Sequence, residues 1–179
     1  MISDGHSQSK QPVSPLLAGP HGHPFHPIMV TVPIGAWVAS FVFDLASHLV
    51  DHPGFLTQGS EWLIGIGVLG ALAAAMLGFL DLFAIPTGTP AHRTALLHMT
   101  LNLLVTIAYA IGFWWRQGGD ASGDPVATGQ IVLSAIGLAG LALSGSLGGK
   151  LAYHYGVRVA EEDTQAQGFA TAPHDHPNH

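Results

Sequence analysis

Cysteine is absent from this 179-residue chain and fixed charge is scarce: five Lys or Arg and eleven Asp or Glu, 9% of the residues. Without a thiol there is no disulfide framework, no thiolate metal site, no cysteine nucleophile and no Cys-ligated iron–sulfur cluster. Soluble domains run near ~25% charged, so the shortfall excludes an ordinary soluble enzyme and a disordered chain. Five basic residues also cannot build the cationic face that a nucleic-acid binder needs. The formal charge is −6 with histidine neutral, and mean hydropathy is +0.39. Histidine, by contrast, is abundant: there are twelve.

Where the few charges fall decides the class. A bilayer core takes ~20 mostly apolar residues in one helix, and four stretches qualify: 28–50, 62–85, 94–115 and 129–149. Among all the charged residues, only Asp44 and Asp81 lie inside them. A soluble bundle of the same stretches would have no charged outer face to meet water. The expected fold is all-α, an integral membrane bundle of four transmembrane helices spanning residues 23–159. A disordered polar leader (1–22) precedes it and a disordered His-containing tail (160–179) follows. The first stretch reads as a retained span: it is long for a signal peptide, follows a polar, proline-rich leader, and is not followed by a small-residue cleavage site.

Four spans put both termini and the loop 86–93 on one side. Lys10, Arg93, Lys150 and Arg158 fall there, whereas Arg116 falls on the other side with Asp51, Glu61, Asp120 and Asp124. This basic bias predicts cytoplasmic termini and a multi-pass protein of a bacterial inner membrane. Trp62, Trp114 and Trp115 would form an aromatic belt at the far face. Gly70, Ala74 and Gly78 in the second span, and Gly140, Ser144 and Gly148 in the fourth, present small faces for close helix packing in lipid. The Gly148–Gly149 pair also offers a place for the fourth helix to open. The spans share no motif, so no internal repeat is expected.

Ionisable groups inside a span are costly and usually face a bundle interior or wet cavity. Asp44 and His48, spaced i,i+4, read as a proton-handling or metal-orienting pair, or else as an interfacial pair snorkelling into the headgroups beside His52. His98 and Asn102 are again i,i+4. His98 is ~10 Å in from its helix start, which makes it a candidate haem or metal ligand, or else an interhelical hydrogen bonder. His26, Asp81, His92, His98 and His154 gather on the terminal side, with Pro27 as the expected first helical residue. Imidazole with carboxylate suits zinc, copper or iron, and two imidazoles on facing helices suit haem b. His26, Asp81 and His98 are thus the candidate metal ligands; His26, His98, Asn102 and His154 the candidate cofactor site. No second histidine matches the depth of His98, so haem would require a helix end folded inward or a second subunit. The tail histidines His174, His176 and His179 read as solvated. Nothing resembles a phosphate loop, a HExxH helix or a nucleophile elbow, and no catalytic residue is assigned.

Taken in order, these segments resemble a known family. They are Gly22-His23-Pro24-Phe25-His26-Pro27, Pro33-Ile34-Gly35, Ser40-Phe41-Val42-Phe43-Asp44, Gly78-Phe79-Leu80-Asp81, Arg93-Thr94-Ala95-Leu96-Leu97-His98 with Asn102, Ser144-Gly145-Ser146-Leu147-Gly148-Gly149 and His154-Tyr155-Gly156-Val157. The chain is similar over about residues 22–159 to the bacterial four-span membrane family named domain of unknown function 2231. The resemblance implies association with cytochrome-like bundles and redox modules such as Rieske-type domains. Its polar positions here are His26, Asp44, Asp81, His98, Asn102 and His154. Ser146 departs from the tryptophan common in that glycine-rich motif.

The leading expectation is a redox membrane subunit that transfers electrons through haem b or a transition metal, with a redox partner protein or a homo-oligomer, and without nucleic acid. The rivals are a non-catalytic assembly module whose His, Asp and Asn groups are interhelical hydrogen bonds, and a proton or small-solute conduit formed by an oligomer.

Overall fold

The computed structural model describes residues 7–12, 24–118, 123–167 and 169. Four long helices cross the molecule, and no strand element occurs among the described residues. The first span is a short α1 (Phe25–Met29) followed by α2 (Thr31–Ala46); the second is α3 (Gly54–Leu82); the third is α4 (Pro90–Gln117). The fourth is α5 (Thr128–Gly149), extended by a π-helical turn at Lys150–His154, and a short α6 (Glu162–Gln167) follows. All four are long and apolar enough to cross a membrane. The bundle is therefore a four-span membrane protein.

Boundaries differ from the apolar runs. The second helix begins at Gly54 and the third continues to Gln117, so Glu61, Arg93, Arg116 and Lys150 also lie within helical spans. Helical hydrogen bonding continues into the headgroup zone where the apolar run has ended, because the backbone must still be satisfied there. The first helix starts at Phe25, two residues before Pro27, and Pro27 still falls in the first turn, where a missing N–H is harmless. The interruption at Val30 has its own cause. Pro33 has no N–H to give the Met29 carbonyl, so the ladder skips a rung between α1 and α2. At Gly148–Gly149 the fourth helix changes winding into the π turn, and Tyr155 N donates to Lys150 O at 3.1 Å.

The first span packs along the second, the third along the fourth, and the second against the third. The first and third stand at opposite corners and meet through side chains. Trp37 and Tyr109, both buried, stack at 4.1 Å with planes 6° apart and form the core with Ile64 and Val105. Lipid-facing residues are large and apolar, and Trp62, Trp114 and Trp115 are exposed near one end, where belt tryptophans belong.

The spans share no motif, yet some contacts recur at fixed offsets along the chain. Trp37 Nε1 donates to Ile64 O in the first pair of spans, and Tyr109 OH donates to Ser134 O in the second. The ring of Trp37 fills the groove at Gly67, and the ring of Tyr109 fills that at Gly137. Donors differ by 72 positions (37 to 109) and acceptors by 70 (64 to 134). The repetition lies in glycine phase and carbonyl position, not in a shared motif.

On the terminal side, leader residues 7–12 are tied to the segment after the fourth span. Lys10 Nζ lies 3.0 Å from Glu162 Oε1 and 3.5 Å from Glu161 Oε2, and Arg158 N donates to Ser9 O at 3.0 Å.

Candidate functional site

Two polar layers lie near opposite ends of the bundle. At the far end from the termini, Asp44 is completely buried. Its carboxylate accepts from Arg116 Nη1 at 3.0 Å and Nη2 at 2.7 Å, from Ser60 Oγ at 2.5 Å, and from Ser134 Oγ at 3.4 Å. All four spans thus contribute to one network. A bidentate guanidinium with added hydroxyl donors is what a carboxylate needs to stay charged away from water. His48 is not part of it. It is exposed, and its Nε2 donates to Val126 O at 2.9 Å; Ser47 Oγ accepts from Val126 N at 3.1 Å. The residue one turn from Asp44 therefore fastens the loop before the fourth helix. Asp44 takes its partner from the third helix.

The second layer holds the predicted histidines. His26 Nδ1 lies 2.9 Å from the Ala74 carbonyl oxygen, and His98 Nδ1 lies 2.9 Å from that of Ser144. A carbonyl only accepts, so in each ring Nδ1 carries the proton and Nε2 bears the lone pair. Asn102 Nδ2 donates to His98 Nε2 at 3.0 Å and to His98 O at 3.1 Å. The two rings face edge to plane, with centroids 6.3 Å apart and an 80° angle between planes. The expected depth mismatch is absent. Depth counted from each helix's own start misleads here, because the third helix begins at Pro90, well outside the level at which the first begins. Gly78 and Gly148 let the rings settle: a Cβ at Gly78 would stand 3.0 Å from His26 Cε1, and one at Gly148 would stand 3.2 Å from His98 Cε1.

The other sequence candidates lie around this pair. Asp81 pairs with Arg158, Nε to Oδ1 at 3.1 Å, both side chains largely buried. His154 is exposed on the π turn with its ring edge-on to Tyr155 at 4.8 Å. His92 is in the first turn of the third helix, where Thr89 Oγ1 caps its N–H. Among the described residues no three His, Asp or Glu side chains converge on one point. His174, His176 and His179 lie outside the described residues. Sequence reasoning missed Arg116, Ser60, Ser134 and Ser144. The available signal was numerical: 44 and 116 differ by 72, as 26 and 98 do.

No curated protein and no solved structure matches the chain. Residues 22–161, which hold both polar layers, match the family described as a predicted membrane protein, DUF2231, and the chain belongs to that family.

Proposed function

We propose that the protein is a redox subunit of a bacterial inner membrane, with cytoplasmic termini, and that it carries a haem or transition-metal cofactor between His26 and His98. The observation that carries this reading is the ring pair. Each imidazole is oriented by an Nδ1–H bond to a backbone carbonyl, as metal-bound histidines commonly are, which leaves Nε2 as the electron-pair donor. The donor set fits: two neutral imidazoles suit iron, copper or zinc. His98 would serve as a ligand only with Asn102 turned away from its Nε2. Bound haem iron would supply one-electron exchange, with a redox partner protein or a second copy of the chain at the terminal face. Asp81 neutralises Arg158 beside the pair, and Gly78 and Gly148 keep the helix surfaces clear of the rings.

One observation favours the assembly module instead. The same Nδ1 bonds stitch the first span to the second and the third to the fourth, which is useful glue in lipid. A conduit through a single copy is disfavoured, since the Trp37–Tyr109 stack fills the bundle axis.

A visible spectrum and metal analysis of the purified protein decide between them. A Soret band or stoichiometric metal that is lost in His98→Ala supports the redox reading. A colourless, metal-free preparation that stays folded after His98→Ala leaves only the assembly module.

A further inference from the structure

The five basic residues are not used alike. Lys10 pairs with Glu161 and Glu162, Arg116 with Asp44, and Arg158 with Asp81. Arg93 and Lys150 are exposed, and among the described residues neither meets an acid within ion-pair distance. Lys150 Nζ stands 5.5 Å over the Tyr155 ring, which holds the ammonium at the surface. Both cations lie at the terminal end of one apolar groove between the third and fourth spans. Leu97, Leu101 and Leu104 form one wall and Leu143, Ser146 and Leu147 the other, around a space of about 310 Å³. Arg93 precedes Leu97 by four residues, and Lys150 follows Ser146 by four and Leu147 by three. That spacing puts both cations on the helix faces that line the groove, roughly 5–6 Å beyond its last leucines on the helical rise. The π turn that begins at Lys150 packs against the third helix, which keeps the two walls together at this end. Tyr153 on the same turn is 93% exposed, and an amphipathic ring of this kind belongs at headgroup level.

We infer that this groove binds an anionic phospholipid of the terminal-side leaflet, with an acyl chain between the third and fourth helices and the phosphate held by Arg93 and Lys150. Basic positions between spans are what anionic lipid headgroups select, Arg acting as a forked donor and Lys as a point charge. The space is at the low end of the ~300–1,000 Å³ that ligand sites occupy, which suits a single chain rather than a helix. A second copy of the protein is a poor occupant, because a two-fold contact through the groove would set the same two cations against each other. A second groove on the lipid face gives a comparison within the molecule. It lies between the second and third spans and is lined by Trp62, Leu69, Phe113 and Trp114. Beside Trp62 at its end stands Glu61, which accepts from Gln117 Nε2. A carboxylate there repels the phosphate that Arg93 and Lys150 attract. The lipid site is independent of whether His26 and His98 bind a metal.

The test is native mass spectrometry of the purified full chain in detergent, titrated with phosphatidylglycerol and with phosphatidylcholine of the same acyl chains. Expected is one phosphatidylglycerol retained per chain in preference to phosphatidylcholine. Arg93→Gln and Lys150→Gln should each reduce that preference about fivefold, and together roughly 25-fold. Arg93→Lys and Lys150→Arg keep the charge and should keep the preference. Ser146→Trp fills the groove, leaves both cations in place and should weaken retention of either lipid. Leu69→Trp in the second groove should leave the preference as it was. All four positions are exposed, so these replacements do not disturb the core. Glycerol phosphate, which has the anion without the chains, should not compete; full competition would leave a surface anion site and overturn the role of the groove. Equal retention of the two lipids, or a preference that survives the double Gln variant, overturns the inference. So does a dimer that Ser146→Trp disrupts while lipid preference is absent, which would assign the groove to a second copy of the chain.

Discussion

Asp44 shows how much one buried residue decides. Its carboxylate is fully buried and receives the Arg116 fork and two hydroxyls, so the charge is matched only while every donor is present. Removing one partner of a buried pair costs about 3–5 kcal/mol, whereas replacing both with apolar groups of similar size is near neutral. Arg116→Met should therefore lower stability by about 3–5 kcal/mol, and Asp44→Leu with Arg116→Met should recover most of that loss. Thermal unfolding in detergent micelles measures both, and equal losses in the single and double variants would remove the pair from its central role. That Asp44 matters is legible in its position inside an apolar run. Its partner is not, because Arg116 reads along the chain as a loop charge on the sparse side. The i,i+4 rule points to His48, yet which donor reaches a carboxylate is decided by the helix facing it.

At the scale of the helix, glycines fall into two sorts that their letter does not distinguish. A Cβ at Gly67 or Gly137 would collide with the ring of Trp37 or Tyr109, while Gly35 and Gly145 have nothing within 4 Å. Gly35→Ala and Gly145→Ala should be neutral or stabilise, by up to ~1 kcal/mol from helix propensity. Gly137→Leu should prise the third and fourth helices apart and destabilise by roughly 1–3 kcal/mol or more. The same unfolding measurement ranks the three variants. The leader clasp belongs to this scale too. The Glu162 hydrogen bond, with help from the charges of both glutamates, raises the Lys10 pKa above its ordinary 10.5. A raised lysine pKa stabilises the clasp in full below the unfolded value, and the effect is lost as pH rises through the folded value. Spin labels on Gln8→Cys and Thr164→Cys, in a chain with no other thiol, should stay close from pH 7 to about 10 and separate above it. They should be apart already at pH 7 in Lys10→Met.

For the whole molecule, the four spans were readable because lipid admits only long apolar helices with every backbone group satisfied. The fixed offset between the two hairpins was not, because what recurs is mostly backbone: the carbonyls at 64, 74, 134 and 144 accept whatever side chain they carry. Opposite charges stand at one pair that keeps this offset, Asp44 and Arg116, and give the two hairpins a reason to pair with each other. Like hairpins would bring Asp44 against Asp44, or Arg116 against Arg116, in the same buried place. If each hairpin is one unit of a two-fold assembly, the connection between them, residues 83–89 with Gly88 at φ 79°, is a tether that adds little beyond effective concentration. Fragments 1–87 and 88–179, produced together in one membrane, should therefore co-purify as a stable 1:1 complex. Either fragment alone should be degraded or form mixed oligomers. Charge identity supplies the control: Arg116→Asp in the second fragment should abolish co-purification, and Asp44→Arg in the first should restore it. If the fragments fail to associate even with native charges, the connecting loop is part of the fold, and the hairpins are not independent units.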